Sequence, residues 1–243
     1  MDFQASVFFD ALTSKAFIDG AQVTIALTVA SELIGFLIGL GVAVLRGHRW
    51  RIVRAGAWTY IWVFRAVPTL VQLLFVWNAL PQLVPAFKGL WFSPFLAATI
   101  ALSMNEGAYA AEIMRGGLLA IDDGQRLAAR ALGMSPIRVF RKVVAPQLIR
   151  VIIPPAANDF ITMLKITSLA SVISLRELLT NTQTEVSSSF RFAEYYAAAA
   201  VYYLVMVSIF MVAQSWLERR YVWSSQVSSQ NRSLIRSLIG GPR

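Results

Sequence analysis

The chain has 243 residues, of which 57% are apolar and 14% charged, with a mean hydropathy of +0.59 and a net charge of +9. That balance excludes an ordinary soluble domain and points to an integral membrane protein whose surface needs lipid. The absence of cysteine excludes disulfides, thiol nucleophiles and thiolate metal sites.

Five apolar stretches approach the roughly 20 residues that a bilayer-spanning helix needs. In chain order they run from about Gly20 to Leu45, Ala55 to Leu80 with Pro68 inside, Phe92 to Met114, Val151 to Leu175, and Tyr195 to Leu217. The N-terminus has no basic region and carries Asp2 and Asp10, so the first span reads as a retained helix rather than a cleaved signal peptide. Pro68 predicts a disruption of the second span, and Pro154 with Pro155 a kinked start to the fourth. The fold class is therefore all-α with about five transmembrane helices.

Lys and Arg in the short loops set the orientation. Arg46, Arg49, Arg51 and Arg54 follow span one; Arg126, Arg130, Arg138, Arg141 and Lys142 lie between spans three and four; Arg219 and Arg220 follow span five. The other two loops offer only Lys88, or Arg176 and Arg191 diluted by Glu177, Glu185 and Glu194. The positive charge thus reports membrane sidedness rather than nucleic-acid binding, with the N-terminus outside and the C-terminus inside. His48, set among arginines, reads as a solvated loop residue.

Ionisable groups at membrane depth are costly and face a cavity or a partner. Glu106 lies nine residues before Arg115 and Asp159 nine after Arg150, each roughly 13 Å along a helix from the basic boundary. Glu32 comes out at similar depth in span one. Glu106 and Asp159 are candidates to meet an ammonium or guanidinium group, with Tyr109 and Asn158 as hydrogen-bonding neighbours. The competing reading pairs Glu106 or Glu32 with Arg65. Thr167 and Ser168 line the path or pack, Ser171 and Ser174 pack helices, and Lys165 either attracts a solute carboxylate or snorkels outward.

Between spans three and four, Gly133 permits a tight turn, and Ser135 and Pro136 suit the cap and first turn of a following helix. Ala128, Ala129 and Ala131 are small enough for close docking on a partner. Ala128-Ala129, three residues, Gly133, nine residues, then Val143-Val144-Ala145-Pro146 resembles the coupling loop of ATP-binding-cassette importer permeases, with Leu127 where that pattern has Glu. Arg65-Ala66-Val67-Pro68-Thr69-Leu70-Val71-Gln72, the run Gly107-Ala108-Tyr109 through Glu112 to Arg115-Gly116-Gly117, and Leu164-Lys165-Ile166-Thr167-Ser168-Leu169 are similar to segments of the polar amino acid uptake branch. Ala66-Val67 and Ile166 depart from its Gly-Thr and Asp.

The resemblance implies a type I importer permease fold in a bacterial inner membrane. Residues 1–19 form an extracytoplasmic segment, 20–220 the permease domain with its cytoplasmic coupling loop at about 116–150, and 221–243 a cytoplasmic tail. It also implies three kinds of partner: an ATP-binding subunit dimer, an extracytoplasmic solute-binding protein, and a second copy or a related permease. Docking on the ATPase falls to Asp123, Arg126, Ala128, Ala129, Arg130, Gly133 and Pro136, leaning on apolar contacts and on Arg126, Arg130 or Asp123 because Leu127 cannot charge-pair.

No Walker-type phosphate loop, His-Glu-x-x-His or Gly-x-Ser-x-Gly is present. Catalytic and metal sites are accordingly expected to be absent, and ATP and magnesium to belong to the partner ATPase. The solute is expected to be an amino acid or a derivative such as an opine. The alternative role is a non-binding half of a heterodimer. An intramembrane enzyme, a channel and a structural subunit are the rivals from other classes.

Overall fold

The computed structural model describes residues 3–221, all secondary structure among them being helical. The expected tail, including the weak amphipathic turn at Leu234, Ile235, Leu238 and Ile239, lies outside the described residues. A short helix α1 (Ala5–Thr13) leads into α2 (Lys15–Arg46), which starts five residues before the expected span because Ser14 caps it, accepting from the Phe17 amide.

The second span is a bent pair rather than one helix. Helix α3 (Arg51–Ala66) stops where Val67 takes the extended conformation that a following proline imposes, and α4 (Thr69–Leu74) starts after Pro68. A π turn (Phe75–Ala79) and α5 (Leu80–Leu83) complete it, and the two halves meet at 104°. The break is stitched by amides. Gln72 Nε2 donates to the Phe64 and Val67 carbonyls at 2.9 and 2.7 Å, and Asn105 Nδ2 donates to the Phe64 carbonyl at 2.9 Å and to Gln72 Oε1 at 3.3 Å.

Helix α6 (Pro94–Leu119) is the central column, followed by α7 (Asp123–Ala131), α8 (Pro136–Val139), a second π turn (Phe140–Val144) and α9 (Ala145–Ile166). Each π turn contains the residue four before a proline, Trp77 before Pro81 and Lys142 before Pro146. The widened turn moves the carbonyl that the proline ring would otherwise strike. Contrary to expectation, Pro154 and Pro155 sit inside an unbroken α9, and the α-helix ends at Ile166 rather than Leu175. A 3₁₀ segment (Thr167–Ile173) follows and reverses at Ser174, an exposed residue at φ 59°, so Ser174 turns the chain instead of packing helices.

The chain closes with α10 (Leu178–Ser189) and α11 (Phe192–Tyr221). Glu177, fully buried, caps α10 by accepting from the Leu179 and Thr180 amides and from the Tyr203 hydroxyl of α11, while the Leu178 amide donates to Thr24 of α2. Helix α1 is tied down at Leu12, whose carbonyl accepts from Tyr202, and at Gln4, whose amide donates to Glu194.

Helices α2 and α6 pack along small residues. Ser31, Gly35 and Gly39 of α2, one turn apart, face Ser103, Glu106, Gly107 and Ala110, the small-residue spacing that lets helix backbones approach in a membrane. Leu27, Leu73, Ala97, Leu102, Met163 and Ile173 form one core around the upper half of α6, while Ile121, Ala129, Val139 and Val144 form a separate one under α7 and α8.

By length and apolarity, α2 and α11 each suffice to cross a membrane, with mean hydropathies of 2.1 and 2.0, and the bent pair makes a third if it is one span. The expected third and fourth spans, α6 and α9, do not reach that measure. They carry Glu106, Glu112 and Arg115, and Arg150, Asp159 and Lys165 respectively.

Candidate functional site

Glu106 stands at the middle of α6, twelve residues from Pro94 and thirteen from Leu119. It is only 4% exposed, and its carboxyl lies within electrostatic reach of Asp159 on α9 and of Glu32 on α2. Gly35 makes room for it: with no side chain there, the Glu106 stem lies directly against the α2 backbone.

Among the described residues, Glu32 Oε2, Asp159 Oδ2 and the hydroxyls of Ser31 and Ser103 are buried without a hydrogen-bond partner. Three carboxyls and two spare hydroxyls thus gather at one level, away from the arginines of the described ion pairs. A groove of about 490 Å³ opens beside them, between Glu32 and Phe36 of α2, Ala156 and Phe160 of α9, and Phe210 and Gln214 of α11.

The expected pairing of Arg65 with Glu106 or Glu32 does not occur. Arg65 turns toward Glu112, two helical turns further along α6, and approaches it at 3.9 Å. Glu112 also binds Arg46 from the end of α2, and Arg115 through Nε at 3.0 Å and Nη2 at 2.8 Å. Tyr109 belongs to this second cluster, its ring 5.4 Å from the Arg65 guanidinium, and not to the acid pair. Glu112 was present in the Gly107–Gly117 motif, but nothing in the sequence shows its reach to Arg46, 66 residues away.

The other candidates separate as well. Asn158 is exposed, and its main-chain carbonyl accepts from the Thr162 hydroxyl. Thr167 is fully buried and donates to the Leu164 carbonyl, and Ser168 donates to that of Lys165. Both hydroxyls therefore serve the helix end, and Lys165 itself is exposed.

Helix α7 divides into two faces. Ala129 is buried in its local core, whereas Ala128, Arg130 and Pro136 are exposed, together with Leu127 (64%), Leu132 (83%) and Ile137 (73%). Arg126 is held back, pairing with Asp123 at 3.0 Å and donating to the Leu118 carbonyl at 3.0 Å. The helix ends in a Schellman turn: the Met134 amide donates to the Ala129 carbonyl at 3.2 Å and the Gly133 amide to that of Arg130 at 2.9 Å, with Gly133 at φ 75°. Ser135 has the extended cap backbone without the expected side-chain bond.

Outside these helix centres, burial pushes the Glu177 carboxyl above the usual carboxylate range, against the opposing pull of its bonds to Leu179, Thr180 and Tyr203. Among the described residues no group of three His, Cys, Asp or Glu is placed to hold a metal ion.

Residues 35–223 match the family described as "Binding-protein-dependent transport system inner membrane component". The arginine transport system permease protein ArgU of Corynebacterium glutamicum is 38% identical over 230 residues, covering 90% of this chain and 71% of that protein. The octopine transport system permease protein OccM of Rhizobium radiobacter is 37% identical over 221 residues, covering 86% and 89%. Among solved structures, an amino acid ABC transporter crystallised with histidines superposes with a TM-score of 0.80 at 38% identity, covering 90% of this chain and 99% of that one.

Proposed function

This chain belongs to the family of binding-protein-dependent transport system inner membrane components, and on that premise we propose that it is the permease subunit of an ATP-driven importer of amino acids bearing a cationic side chain, or of their opine derivatives. The observation that carries the choice of solute is the carboxyl cluster of buried Glu106 at the middle of α6 with Asp159 of α9 and Glu32 of α2, none of which forms an ion pair among the described residues. An ammonium or guanidinium group satisfies that wall, which fits the arginine and octopine transport named for the two relatives.

In this reading the five spans are α2, the bent pair α3 to α5, α6, α9 with its 3₁₀ extension, and α11, with the N-terminus outside and the C-terminus inside. The outward surface of α7, built from Leu127, Ala128, Arg130 and Leu132, seats in a cytoplasmic ATP-binding subunit, one of a dimer that holds ATP and magnesium. An extracytoplasmic binding protein delivers solute on the side of α10. A second copy or a related permease completes the path.

Uptake by the full complex in liposomes, with binding protein and a panel of amino acids, tests the proposal. Arginine-like solutes should be taken up and should stimulate ATP hydrolysis. Glu106→Gln and Asp159→Asn should each raise the half-saturating concentration about tenfold or more, the loss of one charge-assisted contact. Uptake at unchanged affinity in both variants overturns the solute site, and silence across the panel overturns the importer reading.

A further inference from the structure

The arginine cluster around Glu112 has no place in a path for cationic solutes. Glu112 is already committed, one oxygen to Arg46 and the other to Arg115. Arg65 stands 3.9 Å away, beyond hydrogen-bonding distance, and makes no hydrogen bond among the described residues. Its five N–H donors are therefore unspent. Three guanidiniums face one carboxylate, and Arg46 and Arg65 line a cavity of about 460 Å³.

The same cavity is also lined by aromatic rings, on the face of α3 that carries Arg65. Trp58 and Trp62, one turn apart on α3, stack with ring planes 3° apart and centroids 6.0 Å apart, and are 54% and 57% exposed. Two of its helices bring basic-side ends to the cavity: Arg46 closes α2, and Glu112 is seven residues from the end of α6, about 10 Å along its axis, while Arg65 reaches it from the last turn of α3. Indoles beside guanidiniums at that depth are the chemistry of the membrane interface on the side where anionic lipid collects. A small water-borne anion gains nothing from two exposed indoles, whereas a lipid contacts indoles and guanidiniums together.

We infer that this cavity seats the headgroup of an anionic phospholipid of the cytoplasmic leaflet, with Arg65 and Arg46 on its phosphate oxygens and Trp58 and Trp62 along its glycerol and upper acyl chain. The inference rests on the orientation given under the proposed function.

The test is tryptophan quenching in the full complex held in nanodiscs, with brominated phosphatidylglycerol or brominated phosphatidylcholine at equal mole fraction. Phosphatidylglycerol should quench more strongly. That excess should vanish in Trp58→Phe/Trp62→Phe and fall about fivefold in Arg65→Gln, as expected for one arginine at a charged surface. Equal quenching by the two lipids, or an excess indifferent to Arg65→Gln, overturns the site. Removal of the excess by millimolar inorganic phosphate or glutamate identifies a soluble-anion site and overturns it too. The readout uses no solute, binding protein or ATP, so failed uptake with intact quenching counts against the importer alone, and equal quenching with intact uptake against the lipid site alone.

Discussion

Gly35 and Glu106 share a space that holds only one side chain: a Cβ on the glycine would stand 2.5 Å from both Cβ and Cγ of the glutamate. Those atoms are the fixed stem of Glu106, so the collision cannot be relieved by swinging a side-chain tip. Gly35→Ala should destabilise the folded permease by about 1–3 kcal/mol, the usual cost of overpacking. Gly41→Ala on the same helix, with nothing within 4 Å of the added carbon, should be neutral or stabilising by about 1 kcal/mol from helix propensity. Thermal unfolding of the two purified variants checks the contrast.

Gly133 closes α7 at φ 75° with open space around it, so substitution there strains the backbone without a clash. Asn tolerates that conformation and a β-branched residue does not. Gly133→Asn should keep most solute-stimulated ATP hydrolysis. Gly133→Val should lower it about tenfold, since roughly 1–2 kcal/mol of strain falls on the docking turn. Equal activity in both variants argues against a coupling role for this turn.

Glu177 gives stability a pH slope of known sign. Its carboxyl titrates above the usual range because it is buried, so the folded state holds the proton more tightly than the unfolded one. The stabilisation is full below the ordinary glutamate range and declines as pH rises through the folded value. Wild type should therefore lose unfolding temperature as pH rises above about 4, the ordinary glutamate value, and Glu177→Gln should flatten that part of the decline. An unchanged slope in the variant assigns it to other groups.

The chain contains no cysteine, so a single introduced thiol reports its own side of the membrane. Leu132→Cys on the coupling turn should react with an impermeant maleimide only in inverted vesicles, and Ser187→Cys on α10 only in right-side-out cells. Labelling in the opposite sense would reverse the orientation, and labelling of both residues from one side would change the number of spans.

Legibility in the sequence followed the range of the interactions. The turn after α7 followed from Gly133 and Pro136, because that feature is set within one or two helical turns. The partners of Arg65 were not legible. Glu106, Glu32 and Glu112 are all acids on neighbouring helices, and only the 104° bend beyond Ala66 and the rotation of α6 decide that Arg65 meets Glu112. Tyr109 shows the same limit: only three residues after Glu106, its ring lies against Arg65. Glu177 read as one acid diluting a loop. Its burial depends on Tyr203, 26 residues away, and on the packing of Leu178 beside Thr24, 154 residues away. The end of α9 at Ile166 was hidden because Thr167 and Ser168 satisfy the last turn with their own hydroxyls.

The bend between α3 and α4 is held by Gln72, Asn105 and the carbonyls of Phe64 and Val67, and none of these groups carries net charge. The electrical field across a membrane does work only on charge that moves through it, about 2.3 kcal/mol per elementary charge per 100 mV. Energisation of the membrane therefore exerts almost no direct pull on these stitching bonds, and what pull the joint feels falls on the charge of Arg65, one residue before α3 ends.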